Sequence, residues 1–178
     1  RDILKCYTPE QTPVLSTLAQ QFAVCDHYHA SVPSQTIPNR AFVHAATSEG
    51  SVNNSPNIFT TTKTIYNQIE DEIEDGRTEL SWMVFGDNLM PSSAKKKEAD
   101  KTGEFGNNHF SLTRLCMTQL HDEKFNDNFG PINDFIAKCK TGDLPSYTFI
   151  EPTYGGPGQN DQHPPSDIRP GEKFIADL

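Results

Sequence analysis

Leu144-Pro145-Ser146-Tyr147-Thr148-Phe149-Ile150-Glu151-Pro152 decides the fold. Tyr147 to Ile150 is an unbroken run of aromatic and β-branched side chains, the types that fit a pleated, half-buried surface. Glu151-Pro152 ends the run, because proline cannot donate to a sheet ladder. Leu80 to Phe85 reads as a second strand, stopped by Gly86-Asp87-Asn88. Phe22 to Cys25, short and apolar before Asp26, reads as a third, with Cys25 as a small core residue. Helical patterns lie between these strands. Thr8-Pro9 predicts a cap and first turn, followed by an apolar face of Val14, Leu15, Leu18, Ala19 and Phe22. Further helices are predicted over 39–47, over 64–74 through Ile65, Ile69 and Ile73 to Gly76, and over 132–140 up to Gly142. A run from Phe110 through Leu112, Leu115, Met117 and Leu120 predicts another, ending near His121, and a last one starts at Glu172. Strands alternating with helices imply an α/β domain with a mainly parallel sheet. Working residues of such sheets sit on loops past the strand C-termini, here 26–40, 86–109 and 151–170.

A length of 178 residues suits one domain or a large part of one. The net charge of −9 argues against a general nucleic-acid partner. The one basic run, Lys95-Lys96-Lys97, stands among polar and small residues and reads as a solvated loop. There is no apolar run of transmembrane length and no signal peptide at the start. The chain opens on Arg1 and stops inside a helical pattern, as a cut polypeptide would. Its four cysteines, Cys6, Cys25, Cys116 and Cys139, are widely spaced without a CxxC pair, which disfavours a thiolate zinc site. Their pairing is not fixed by the sequence.

Three features offer chemistry. In Thr36-Ile37-Pro38-Asn39-Arg40 the proline suits a first helical turn, so Thr36 stands at or just before a helix N-terminus. Such a place caps a helix, and it equally suits an alkoxide nucleophile or a phosphate. Arg40, one turn on, is able to offer a forked donor to a phosphate oxygen. In Asp161-Gln162-His163-Pro164-Pro165-Ser166-Asp167, no apolar packing explains His163, which reads as donor, base or metal ligand. Asp167 either orients His163 or caps the following helix. The third feature is His27, His29 and His44. The first two read as exposed loop histidines, and His44, on one helical face with Arg40, as a satisfied structural residue in preference to a catalytic one. Asp26 and Asp87 end strands as turn formers or second-shell groups. Trp82 and Phe85 read as core, and Glu70 to Asp75 as a solvated acidic face.

Several of these motifs stand in a familiar order. Leu18 to Asp26, Ser31-Val32-Pro33, Thr36 to Arg40, His44-Ala45-Ala46-Thr47-Ser48, Leu144 to Pro152, Asp161-Gln162-His163-Pro164 and Gly171-Glu172 together resemble the phosphoesterase family. That family holds bacterial phosphatidylcholine-type phospholipases C, plant non-specific phospholipases C and related acid phosphatases. The similarity runs over most of the chain and is weakest over about 51–130.

The resemblance implies a three-layer α/β/α fold, alkaline-phosphatase-like and incomplete here, with residues 1–178 forming a single partial catalytic domain. It implies Thr36 as the nucleophile that takes up the phosphoryl group and His163 as a contact to phosphate or leaving group. Asn39 and Arg40 become substrate-binding candidates, with the helix N-terminus and Arg40 meeting the equatorial oxygens; His44 and Asp167 become second-shell ones. A divalent metal ion is expected as cofactor, with ligands mostly outside this chain, because the family's Glu-Asn-Arg-Ser-Phe-Asp and Asp-Glu-x-x-Gly-x-x-Asp-His-Val motifs are absent. Ser166 stands where many members carry His, and Ser34-Gln35 replaces the frequent Gly-Pro. The expected activity is phosphoric ester hydrolysis, of the phospholipase C type through a phospho-threonine. The alternatives are a phosphatase acting on soluble monoesters and a non-catalytic binding domain. The expected partner is a phospholipid or small phosphate ester, and the expected location is secreted or periplasmic.

Overall fold

The computed structural model describes residues 5–54, 62–87, 111–156 and 158–178. The basic run 95–97 lies outside them. The chain divides into two compact units, His29–Glu151 and Arg1–Tyr28 with Pro152–Leu178.

The larger unit is built on three parallel strands. These are β1 (Trp82–Phe85), β2 (Phe129–Gly130) and β3 (Tyr147–Ile150), in the order β2-β1-β3. Val84 pairs with Phe129 on one side and with Phe149 on the other. Alternation along β1 sends Trp82 and Val84 to one face and Phe85 to the opposite one. On the first face they join Ala41, Tyr66, Met117, Leu120 and Phe125 in the main core. The Trp82 ring stands 4.6 Å from that of Tyr66 and 5.7 Å from that of Phe125. On the second face the Phe85 ring meets Phe135 at 5.7 Å. The sheet is thus flanked by helices, a mixed α/β arrangement with the parallel pairing that the alternating pattern predicts.

Among its described residues this unit has the helices α2 (Thr36–Ala45), α3 (Ile65–Glu74), α4 (Leu112–Cys116) and α5 (Ile132–Thr141). Thr64 and Asn67 form a reciprocal capping box that starts α3. Gly142, at φ 76°, ends α5 in the left-handed conformation that glycine adopts without a Cβ penalty. Asp87 caps α5 by accepting from the Ile132 N–H at 3.0 Å. Glu70, read as solvated, instead accepts from the Trp82 indole N–H at 2.6 Å.

The helix predicted over 110–121 is broken. Only 112–116 is α-helical, and 118–120 and 123–128 are 3₁₀ turns. The buried Arg114 explains the break, since its Nε donates to Leu120 O at 2.9 Å and its Nη2 to Asn126 Oδ1 at 2.7 Å. Folding the chain back over its own guanidinium satisfies a buried charge that a straight helix would leave in the core.

The smaller unit pairs α1 (Pro13–Gln21) with α6 (Arg169–Asp177). Residues 9–12 form a turn, so α1 starts at Pro13 and not at Pro9. The helix α6 starts at Arg169, ahead of Glu172. Glu172 is buried, and its Oε2 accepts from Val14 N at 2.7 Å and Leu15 N at 3.2 Å. It caps α1 from the far end of the sequence. Gly171 lets the loop at 160–162 lie close against α6, because a Cβ there would meet Gln162 and stand 2.8 Å from the Asn160 carbonyl oxygen. The strand predicted over 22–25 does not form. Phe22 is 75% exposed, Cys25 is exposed, and no described strand pairs with them. An apolar run becomes a strand only where a neighbour accepts its ladder, and the three described strands lie in the other unit. No helix among the described residues is long and apolar enough to cross a membrane.

Burial separates two aromatic positions. Trp82→Ala should cost about 3–5 kcal/mol by urea unfolding, whereas Phe22→Ala should stay within about 0.5 kcal/mol. A loss at Phe22 comparable to that at Trp82 would place Phe22 in a core.

Candidate functional site

The helix α2 begins at Thr36 itself, with Gln35 as the extended residue before it. Pro38 occupies the third position, where no intrahelical donor is needed. Thr36 is exposed, and its hydroxyl and N–H have no hydrogen-bond partner among the described residues. The turn that carries it is held firmly. Asn39 Oδ1 accepts from Val32 N at 3.0 Å, and its Nδ2 donates to Val32 O at 3.0 Å and Gln35 O at 2.9 Å. Asn54 closes the other side, with Oδ1 accepting from Ile37 N at 2.9 Å and its own N–H donating to Gln35 Oε1 at 2.8 Å. Ser34 also donates to the Val52 carbonyl. The nucleophile candidate therefore projects from a backbone fixed on both flanks.

These bonds limit the helix N-terminus as an anion site. Of the first three positions, Pro38 has no N–H and Ile37 gives its own to Asn54, which leaves the N–H of Thr36.

Arg40 points inward. Its Nη1 donates to Glu151 Oε1 at 3.1 Å and to Thr113 Oγ1 at 3.3 Å, and its guanidinium lies 5.7 Å from the Phe149 ring centre. Glu151, the residue that ends β3, is 1% exposed. Its carboxylate accepts from Leu112 N at 3.1 Å, Thr113 N at 2.8 Å and the Thr113 hydroxyl at 2.8 Å. In the linear sequence Glu151 is marked only as a strand terminator. A buried carboxylate implies donors around it, and the burial is what the linear pattern does not show.

His44 continues this network. Thr113 gives its one proton to Glu151, so His44 Nε2–H, 3.3 Å from Thr113 Oγ1, must be the donor there. His44 Nδ1 then accepts from the Tyr66 hydroxyl at 3.3 Å. The ring also stands edge-on to Phe149 at 4.7 Å. Burial, aided by the charge of Arg40, pushes the His44 pKa down to about 4. It is a satisfied, neutral core histidine beside the Arg40–Glu151 pair.

His163 and Asp167 belong to the smaller unit. His163 is exposed, and its Nδ1 lies 2.7 Å from the Pro164 carbonyl. A carbonyl only accepts, so Nδ1 carries the proton and Nε2 presents a lone pair. Asp167 does not bond to His163. It accepts from Arg169 N at 3.0 Å and from the Arg169 guanidinium at 3.0 and 2.9 Å, and that side chain holds its carboxyl down at about 2. Asp167 thus fastens the start of α6. His27 and His29 are both exposed, and His27 Nδ1 meets Asp26 Oδ1 at 2.7 Å. Among the described residues no three His, Cys, Asp or Glu side chains stand together as a metal site.

Comparison with known proteins agrees with the motif order. The model of the Phosphoesterase family matches residues 2–178, and the chain belongs to that family. It is 31% identical over 185 residues to the non-specific phospholipase C3 of Arabidopsis thaliana, covering 99% of this chain and 30% of that protein. Non-specific phospholipases C5 and C1 of the same plant are 29% and 30% identical, again with 30% of each covered. The chain thus spans 30% of the length of these curated relatives.

His44 generates a pH prediction. Its pKa is about 4 in the fold against an ordinary 6.5, so in that interval the unfolded chain binds the extra proton. Stability is complete above pH 6.5 and falls as pH drops toward 4, by about 3 kcal/mol over the whole window. Urea midpoints taken from pH 7 to 5, above the carboxylate range, should decline in the parent chain. The decline should flatten in His44→Gln, and an unchanged slope would remove His44 as its source.

Proposed function

From membership of the Phosphoesterase family, we propose that this chain supplies the nucleophile of a phosphoric ester hydrolase. Phospholipase C-type cleavage of a phospholipid headgroup is the preferred reaction, on a three-layer alkaline-phosphatase-like scaffold. One observation carries the reading. Thr36 stands exposed at the first position of α2, on a turn that Asn39 and Asn54 fix from both flanks. A hydroxyl held in this way is pre-positioned for attack, where orientation accounts for much of a rate enhancement.

In the first step Thr36 Oγ1 bonds to phosphorus as the bond from phosphorus to the alcohol oxygen breaks. The departing alcohol takes up the proton that Thr36 loses. Water then attacks the phosphorylated threonine, giving its hydroxyl to phosphorus and its remaining proton back to Thr36. His163, with Nδ1 tied to the Pro164 carbonyl and Nε2 left to solvent, is proposed from the family resemblance as a contact to phosphate or leaving group. Asn39 serves through the turn it holds. The divalent ion that the family resemblance implies finds no ligand set among the described residues, so no step here runs through it.

In the complete protein, Thr36→Ala should lower turnover by at least on the order of 10³-fold, while Thr36→Ser should keep part of it. Thr36 is exposed, so unfolding of Thr36→Ala should shift by less than about 0.5 kcal/mol. Retention of activity within about tenfold by Thr36→Ala would overturn the assignment. A short-chain phosphatidylcholine run beside an aryl phosphate distinguishes the phospholipase from a phosphatase on soluble monoesters. Inactivity toward both would favour a binding domain.

A further inference from the structure

We infer that Glu151 is a positioning residue for the Thr36 nucleophile, acting through Arg40. The inference rests on the reading of Thr36 above and extends it to a residue with no role there. Glu151 stands where three elements meet. Its backbone N–H donates to Phe85 O at 2.8 Å, which joins the ends of β3 and β1. Its carboxylate takes the first two N–H groups of α4, and Ser111 takes the third, so the N–H groups of the helix's first three residues are all paired. The remaining donors on Oε1 are the Thr113 hydroxyl and Arg40 Nη1.

Arg40 is the link to chemistry. It lies four residues after Thr36 in α2, on the same side of the helix. The Asn39 and Asn54 bonds tie the first turn of α2 to its flanking loop. The Arg40–Glu151 contact, together with the buried Ala41 and His44, sets how the helix is turned against the core, because the guanidinium is held by a carboxylate that is itself fixed by backbone amides. The direction of Thr36 Oγ1 therefore depends in part on Glu151. Removing the Glu151 charge would weaken the hold on Arg40 Nη1, and with it the seating of α2 against the ends of β1 and β3.

The test uses the complete protein and three variants, Thr36→Ala, Glu151→Gln and Thr113→Val. Steady-state kcat and KM are measured with the stoichiometry of phospho-Thr36 per folded chain, read by quench and mass spectrometry. Glu151→Gln should lower kcat by on the order of 10²-fold, the cost of a misplacement near 1 Å, with KM within about threefold. Phospho-Thr36 should still form on every folded chain, only more slowly. A merely structural role would reduce the folded fraction and leave kcat per folded chain at the parent value. That result would overturn the inference. Should Glu151→Gln not fold, Thr113→Val decides, since it removes one donor to Glu151 and one acceptor from Arg40 at nearly constant volume. It should lower kcat by about tenfold at unchanged KM, and a parental kcat would equally overturn the inference. If Thr36→Ala remains active, the nucleophile assignment fails instead, and the two failures are told apart by which variant keeps its rate.

Discussion

A carboxylate without water needs donors, and in the larger unit Glu151 has gathered them from two helices. Burying an ion costs several kcal/mol even after relaxation, and the cost is met only if hydrogen bonds saturate it. Two backbone amides, a hydroxyl and a guanidinium do so. Each donor comes from an element that must be in place, so the side chain of Glu151 sets the helix bearing Thr36 against the short helix after Ser111, and its backbone N–H joins the ends of two parallel strands. The neutral ring of His44 follows from the same site. A second positive charge 3.3 Å from Thr113 and close to Arg40 would compete with the pairing that Glu151 already provides.

The sequence revealed those parts of the fold whose cause is local. Thr64 with Asn67, and Gly142, start and stop helices through their own side chains or backbone freedom, and both boundaries were legible. Tyr147 to Ile150 and Trp82 to Phe85 were legible because β-branched and aromatic runs have few other uses. The misreadings share a cause in distant partners. Phe22 to Cys25 has the pattern of a strand but finds no ladder. The pattern from Phe110 to His121 ignores what Arg114 demands once it is buried. Phe129-Gly130 is too short for any periodicity to mark, and it becomes a strand only because β1 offers an unpaired edge. The cap on α1 comes from Glu172, and no local signal near Pro13 announces it.

The candidate site divides along the same line. Thr36 at a helix start was readable from Pro38, whose missing N–H fits only the first turn. What its neighbours do was not. Asn39 and Arg40 stand as phosphate ligands by the family resemblance and by Arg40's forked donor, yet the bonds of Asn39 run to its own loop and Arg40 Nη1 runs to the core. Polarity beside a nucleophile carries two meanings, contact with substrate and support of the backbone, and only burial and bond partners separate them. Asp167 shows the same ambiguity, settled by Arg169.

This division bears on how a phosphoryl group would be handled at Thr36. A helix N-terminus attracts anions through its unpaired N–H groups. In α2 proline removes one of these and Asn54 occupies another, so the N–H of Thr36 itself is what remains. Arg40 Nη1 is committed to a carboxylate, which offsets the charge that would otherwise reach a phosphate oxygen. The described part of this helix is thus better arranged to hold a hydroxyl in place than to neutralise a transition state. Fixing the attacking oxygen and stabilising the charge that develops are separable contributions to phosphoryl transfer. Under the proposed reading the first would fall to Thr36 and its supports, and the second would require groups other than the helix dipole and Arg40 Nη1.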